Sequence, residues 1–410
     1  SDVIYGKAGA YVSRERLEQM LGREFELLQE RLKSSRNRNT TFFSYAATVT
    51  ARSFKQKNEC HGWVGIHVQL YPDAPPSEII LHVRMLDDDN SRQAQALGII
   101  GVNLIYGAFF YKDQPKWIID GLLDGIDSNR LEIDQIQFSG PYFEAVDNRL
   151  MNLHLVRSWC CRAVMFDSNA ASIVPSSALR KKDVLVMRGS FKPPTKVHVD
   201  MSRAAQDQFE RIGSASGRGI ITVAEITMAE LGSDGEDDSD FLARVDLLTS
   251  IGQKVLITNM PQFFNLTNYV STFKPKNIGL VFGVYNFMQI FDEQYHQLKG
   301  GILEALGHLF RPNVKVYLYP YKEEDKDDEL INLNSVEVAS QLQYLLKHII
   351  ASGQVKNLTG YNDELLHIYS RKVLRMIRNS EPGWEEFVPE EIAKTINDNC
   401  LFGHPCDHKA

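Results

Sequence analysis

Several absences bound this chain before any residue is given a role. No apolar run reaches the roughly 18 residues of a membrane span. The nearest, Ala96 to Phe110, is interrupted by Gly98, Gly101, Asn103 and Gly107, so no membrane partner is expected. Nothing near Ser1 has the charged, then apolar, then small-residue order of a signal peptide. An excess of positive charge is missing too. Lys and Arg number 45 against 52 Asp and Glu, a net charge of −7, so no overall basic field gathers nucleic acid. Cysteine is sparse: Cys60, Cys160, Cys161, Cys400 and Cys406 form no C-x-x-C pair and leave an odd count. Neither a disulfide framework nor a zinc site is expected, and a reducing, cytoplasmic setting fits. No internal repeat is evident. His61, His67, His82 and His154 lack ligand spacing with a carboxylate or thiol, so no metal site is assigned. His67 and His82 fall inside strand patterns and read as core or cross-strand histidines.

What is present is a globular composition spread over 410 residues, too long for one ordinary core, which suggests two domains. Residues 8 to 34 carry Leu17, Met20, Leu21, Phe25, Leu28 and Leu32 at helical spacing. Strands are expected at Thr41–Arg52, Trp63–Tyr71 and Glu78–Leu86, in a largely antiparallel sheet. Asp87-Asp-Asp-Asn-Ser91 caps a helix through Ala94, Leu97, Ile100 and Leu104. Helices near Ile118–Leu123 and Asn148–Ser158 follow, with strands near Leu131–Phe138 and Ala163–Phe166. The polar turns at Asp87–Arg92 and Asp147–Arg149 read as caps and local ion pairs, in preference to a ligand rim. This half, residues 1–180, is expected to be an α+β domain. Its role is unassigned.

Pro175–Lys182 is a short polar stretch at which the pattern changes. Beyond it, in residues 183–410, strands and helices alternate. Strands are expected at Val184–Met187, Ile220–Ile226, Val255–Thr258, Ile278–Phe282 and Val314–Tyr319, with helices between them and an acidic loop at Gly232–Asp240. Phe287–Phe310 reads as one helix. Such alternation argues for an α/β domain with a doubly wound parallel sheet and ligands at the strands' carboxyl ends.

One stretch organises this half. Asp183 to Met201 is an apolar run, a Gly/Pro-rich turn, then the polar opening of a helix. A strand feeding a helix this way aims unpaired N–H groups and the positive dipole end at whatever lies in front. Thr195 and His198 sit three apart on the first helical turn. Gly189-Ser-Phe-Lys-Pro-Pro-Thr-Lys-Val-His198 resembles the G-[ST]-F-x-P-x-[TH]-x-x-H signature of the HIGH-type nucleotidyltransferases. That superfamily includes nicotinamide and nicotinate mononucleotide adenylyltransferases and phosphopantetheine adenylyltransferase. Arg244-Val-Asp-Leu-Leu248 resembles the family's H-R-x-x-M-L helix start, and Leu280 to Asn286 the strand ending in L-G-x-D. Near the C-terminus, Ile368 to Arg378, Phe387-Val-Pro-Glu-Glu-Ile392 and Leu401-Phe-Gly403 resemble its I-S-S-T-x-I-R, V-P-x-x-V and L-Y-G ending. The resemblance covers residues 183 to 403.

It implies a Rossmann-like nucleotidyltransferase domain that moves AMP from ATP to a phosphorylated small molecule. Nicotinate or nicotinamide mononucleotide would be the default acceptor, a step of NAD biosynthesis. Thr195 and His198 would be catalytic; Gly189, Ser190, Phe191, Lys192, Gly283, Ser370, Arg371 and Arg375 would bind the nucleotide with Mg²⁺. Arg188 and Lys196 would add charge at the mouth. The chain also departs from the pattern. The family's Thr is Arg371, its triphosphate-binding Arg is Leu374, its G-x-D aspartate is Tyr285 or Asn286, and the Asp after Phe is Lys192. Arg375 stands one residue past the family Arg, about 100° around a helix. A second reading therefore stands beside the enzyme: a catalytically altered nucleotide-binding or assembly module, with which a homo-oligomer is compatible.

Overall fold

In a computed structural model of the chain, the described residues are 2–36, 39–50, 60–213, 217–231, 238–292, 298–323 and 329–405. They fall into two units, Ser1–Val164 and Met165–Ala410. The polar stretch at Pro175–Lys182 lies inside the second.

The first unit follows from two periodicities. After a helical turn, α1 (Asp2–Tyr5), Ser13 caps α2 (Arg14–Leu32) by accepting from the Arg16 N–H, and Leu17, Leu21 and Phe25 face inward. Alternating residues build β1 (Phe43–Val49), β2 (Cys60–Val68), β3 (Ser77–Met85) and β4 (Leu131–Ser139), an antiparallel sheet in that order. Leu17 and Leu21 pack on Ala46 and Ile80 of that sheet. Gly65 makes room for them: a Cβ there would lie 3.0 Å from both leucines. The remaining helices are α3 (Asn90–Phe110), capped by Asp89, α4 (Pro115–Gly121) and α5 (Asn148–Arg157), capped by Asp147. Asn152 on α5 bonds both the N–H and the C=O of Ile136, which gives β4's outer edge partners that no further strand supplies.

The polar turns are caps and ion pairs, as expected: Asp147 bonds Arg149, and Asp87 pairs with Arg130 and Arg92. His67 bonds Glu78 across the strands, and buried His82 sits between Asp134 and His61. By length and composition α3 is apolar enough to cross a membrane. One of its faces is nevertheless buried, through Ala96, Ile100, Leu104 and Ala108.

The second unit is mixed α/β around an eight-stranded, mostly parallel sheet of order β14-β11-β10-β7-β8-β9-β5-β6. Its elements are β5 (Ala163–Phe166), β6 (Ser172–Ile173), α6 (Pro175–Leu179), β7 (Asp183–Arg188), α7 (Lys196–Gly213), β8 (Ile220–Thr227), α8 (Asp238–Ser250), β9 (Lys254–Thr258) and α9 (Phe263–Ser271). β10 (Ile278–Gly283), α10 (Val284–Gln289), α11 (Gly301–Leu309), β11 (Val314–Tyr319), the hairpin β12 (Tyr321–Glu323) and β13 (Glu329–Ile331), α12 (Gln343–Ala351), β14 (Val355–Asn357), α13 (Ser370–Arg378) and α14 (Glu390–Asn399) follow. Strands β14 through β9 pair in parallel; only β6 against β5 is recorded antiparallel. The β7 run Val184–Met187 is wholly buried, as a strand with both faces covered must be.

Three expectations change. Ala163–Phe166, assigned to the first half, is a strand of the second sheet. The helix expected over Phe287–Phe310 is two, because α10 stops at Gln289 and α11 starts at Gly301. Cys400 is disulfide-bonded, with its partner outside the described residues, against the expectation of free thiols. Most of the acidic loop, 232–237, also lies outside the described residues, whereas Asp238–Asp240 already belong to α8.

Candidate functional site

The path of the chain fixes where a cleft opens. From β7 it moves outward to β8 and β9, then returns to place β10 on β7's other side. Connections leaving neighbouring strands in opposite directions part above their carboxyl ends, and ligands bind in that crevice. A cleft of about 950 Å³ lies there. Its wall carries Arg188, which ends β7, and Gly189 after it, Thr227 at the end of β8, Gly283 at the end of β10, and Tyr319, which ends β11, with Pro320 after it. His198 contributes from α7, and Ser370, Arg371, Lys372 and Arg375 from α13.

The loop after β7 is braced from behind. A Cβ on Gly189 would meet the Phe191 ring at 3.1 Å, a tight contact that any larger residue here would press on that ring. Phe191 is fully buried at φ +48° and packs on the His198 imidazole, with ring centroids 4.9 Å apart. It supports the wall without lining it. Lys192 turns away to Asp240, 2.6 Å distant. Arg244, four residues along α8, pairs with Asp240 and donates to the Ser190 and Glu230 carbonyls. Arg188 gives its guanidinium to Glu225 and to the Met260 and Pro261 carbonyls, and stacks on Phe263. Neither Arg188 nor Lys192 is a spare cation.

Thr195 is buried, and its role is to orient His198. Its N–H donates to Nδ1 of His198 at 2.9 Å, and its hydroxyl lies 3.0 Å from the same nitrogen. A nitrogen that accepts cannot carry the ring proton, so the proton sits on Nε2. Burial pushes the imidazole down to about 4, so it is neutral at physiological pH. The product is a fixed, uncharged N–H donor on the cleft wall.

Lining the same cleft, α13 begins at Ser370 with no side chain capping its first turn, which leaves N–H groups for an anion. Arg371 and Arg375 are exposed on the cleft side and have no carboxylate partner among the described residues. Leu374 points elsewhere, packing on the cluster of Val373, Ile377, Trp384 and Ile392. The cleft thus gathers two exposed cations, one neutral N–H donor and uncapped backbone amides, a set whose chemistry suits an anion. Among the described residues no group of three His, Cys, Asp or Glu side chains gathers to hold a metal ion.

No protein-family model and no curated protein matches the chain.

Gly189, Ser190, His198, Gly283, Ser370, Arg371 and Arg375 therefore share one cleft, whereas Thr195, Phe191 and Lys192 stand behind it. Reasoning from sequence missed most of the aromatic lining of the cleft: Phe263, Tyr319, Tyr321 and Tyr369 join Tyr285 there. The rule that ligands sit at strand carboxyl ends points to Tyr319, which closes β11. Its hydroxyl donates to buried Asp200; burial first, then that carboxylate, push the phenol far up. The Glu225–Thr258–Arg188 network also went unseen, since no spacing joins residues on three strands.

Proposed function

We propose that the second unit is a doubly wound, Rossmann-like nucleotidyltransferase domain that binds ATP with Mg²⁺ in this cleft. In this reading it transfers AMP to a phosphorylated small molecule such as nicotinate or nicotinamide mononucleotide. One observation carries the proposal. The two stretches that resemble the HIGH-type family, far apart in the unit's sequence, both line one cleft.

The residues fit the chemistry. Adenylyl transfer is in-line attack of a substrate phosphate on the α-phosphorus of ATP with loss of pyrophosphate, and it asks a protein mainly to position anions and absorb moving charge. The Nε2–H of His198 donates to a phosphate oxygen, and being neutral it holds that proton throughout. Arg371 and Arg375, with the amides opening α13, receive charge that develops on the leaving pyrophosphate. Mg²⁺, if bound, would be held mainly by the phosphates and would supply charge neutralisation to the triphosphate.

Leu374 and the lack of an Asp at Tyr285 or Asn286 favour a second reading, a nucleotide-binding module that no longer turns over. Calorimetry of the purified chain with ATP-Mg²⁺, followed by an assay for pyrophosphate release with candidate acceptors, tests both. Binding with release supports the enzyme, and binding without release against any acceptor supports the module. No binding of ATP or AMP ends the enzyme and the nucleotide-binding module, and a chain that still self-associates is then better read as an assembly module.

A further inference from the structure

On the first unit, α3 carries an outward face that the site above does not use. Ala94, Gly98, Val102, Tyr106 and Phe110 follow one another every fourth residue, and all five are exposed. They form one continuous ridge of the kind that packs between helices. Val102 is 66% exposed, Tyr106 51% and Phe110 69%, and the last two rings stack 4.5 Å apart. Trp117, 54% exposed, extends the patch beyond the helix end.

The ridge is graded. Side chains grow from Ala and Gly at the amino end, through Val, to Tyr and Phe at the carboxyl end. Around the site where Gly98 would carry a Cβ nothing lies within 4 Å. A second copy of α3 laid antiparallel, with the two Val102 side chains on the dyad, sets Tyr106 over Gly98 and Phe110 over Ala94. Large meets small at every step, twice over, as a two-fold interface requires.

Charge agrees with this register. From Gln93 to Phe110 the helix has no charged residue. At its amino end Asp88 and Asp89 outnumber Arg92, and past its carboxyl end Lys112 and Lys116 outnumber Asp113. Antiparallel packing brings the acidic end of each copy to the basic end of the other and opposes the helix dipoles favourably. An anionic lipid surface would ask for an excess of basic residues around the patch, which these alternating signs do not provide.

We propose that the α3 ridge is the interface of a homodimer of this chain, antiparallel and centred on Val102. Aromatic side chains bury on the order of 150–250 Å² in full, so these partly exposed residues offer roughly 500 Å² per copy. A pair then buries about 1,000 Å², at the lower edge of specific interfaces. The dimer is accordingly weak and concentration-dependent.

Sedimentation equilibrium of the full chain tests this. A reversible monomer–dimer equilibrium in the micromolar range is expected, and Val102→Glu, which opposes two carboxylates at the dyad, should leave a monomer with an unchanged circular dichroism spectrum. Val102→Cys should form a disulfide-linked dimer under mild oxidation, above the wild-type background. Gly98→Cys alone should not, yet it should cross-link when mixed with Tyr106→Cys. A wild type that stays monomeric throughout overturns the proposal, as does a dimer that survives V102E. A monomer that floats with phosphatidylcholine vesicles until V102E is introduced would assign the ridge to lipid instead. A fall in melting temperature of V102E without a change of mass would mean that the ridge is covered within one chain.

Discussion

His198 presents two ring nitrogens with different surroundings, one bonded within the protein and one left for a ligand, and two substitutions separate them. Nδ1 accepts from the buried Thr195 N–H, a contact inside the protein, while Nε2–H faces the cleft. Asparagine places its side-chain oxygen near the Nδ1 position and has nothing at Nε2. Glutamine reaches the Nε2 position with an amide donor but leaves the Thr195 N–H without its acceptor. His198→Asn should therefore keep its stability and lose function. Loss of one preorganised donor costs roughly 2.7–4 kcal/mol of transition-state stabilisation, about 10²–10³ in turnover. His198→Gln should do the reverse. An unpaired buried N–H costs about 1–3 kcal/mol, and a domain of this size loses roughly 2–4 °C of Tm per kcal/mol, while nucleotide affinity is largely retained. Differential scanning fluorimetry and ATP calorimetry on the same preparations read both axes. If the two variants lose stability and binding in parallel, the division of labour between the ring nitrogens is wrong.

Three further outcomes are expected. Arg371→Ala and Arg375→Ala should each weaken ATP about tenfold or more while changing AMP little, because a charge-assisted contact to the β/γ end is worth roughly 1.5–3 kcal/mol. Equal losses on both nucleotides in competition binding would remove these arginines from a triphosphate site. Leu374→Arg, although it restores the family pattern, should destabilise the unit by about 1–3 kcal/mol by burying charge among Val373, Ile377 and Trp384, which a denaturation midpoint reads. The pH dependence has a definite sign. The folded-state pKa of His198 is depressed from 6.5 to about 4, so its contribution to stability is complete above about pH 6.5 and is lost as pH falls towards 4. Tm against pH should thus fall less steeply across that window in His198→Asn than in the wild type, and parallel curves would contradict the depressed value.

Regular elements were legible wherever one periodicity ran unbroken. The apolar stripe of α2, the alternation in β1 to β4 and the buried run in β7 each announce a partner surface. Breaks were legible only when a residue forced them. Nothing among Gln289 to Gly301 except glycine forbids a helix, yet α10 and α11 are separate, because burial of Phe287 and of Leu306 is a tertiary matter. The β14 strand was unseen because three residues carry no period. Site residues divide the same way. Gly189 and His198 came from a local motif, but the motif could not say that Phe191 and Thr195 stand behind the wall. Both are short-range neighbours of the cleft, and a turn's exact path decides which side chain faces it. Arg188 read as free charge because Glu225, its partner, lies on another strand.

One helix takes part in both the loop after β7 and the core beneath α13. Along α8, Ala243 and Leu247 enter the same apolar cluster as Val373 and Ile377 of α13. One step around the same helix, Asp240 holds Lys192 and Arg244 holds the Ser190 carbonyl, which fixes the loop in front of His198. Two i, i+4 pairs on adjacent stripes of α8, Ala243 with Leu247 and Asp240 with Arg244, thus serve the core and the loop respectively. A rigid brace of this kind matters more here than the identity of any one cation. Fixed donors stabilise charge in a transition state only if they need not reorganise to meet it, and His198 is fixed by the loop while Arg371 and Arg375 are long and exposed. The backbone that α8 positions therefore supplies the preorganisation, and the arginines supply charge that follows the ligand. On the proposed reading, a cation one residue away from the resembled pattern would serve because the braced loop, and not the arginine, sets the geometry.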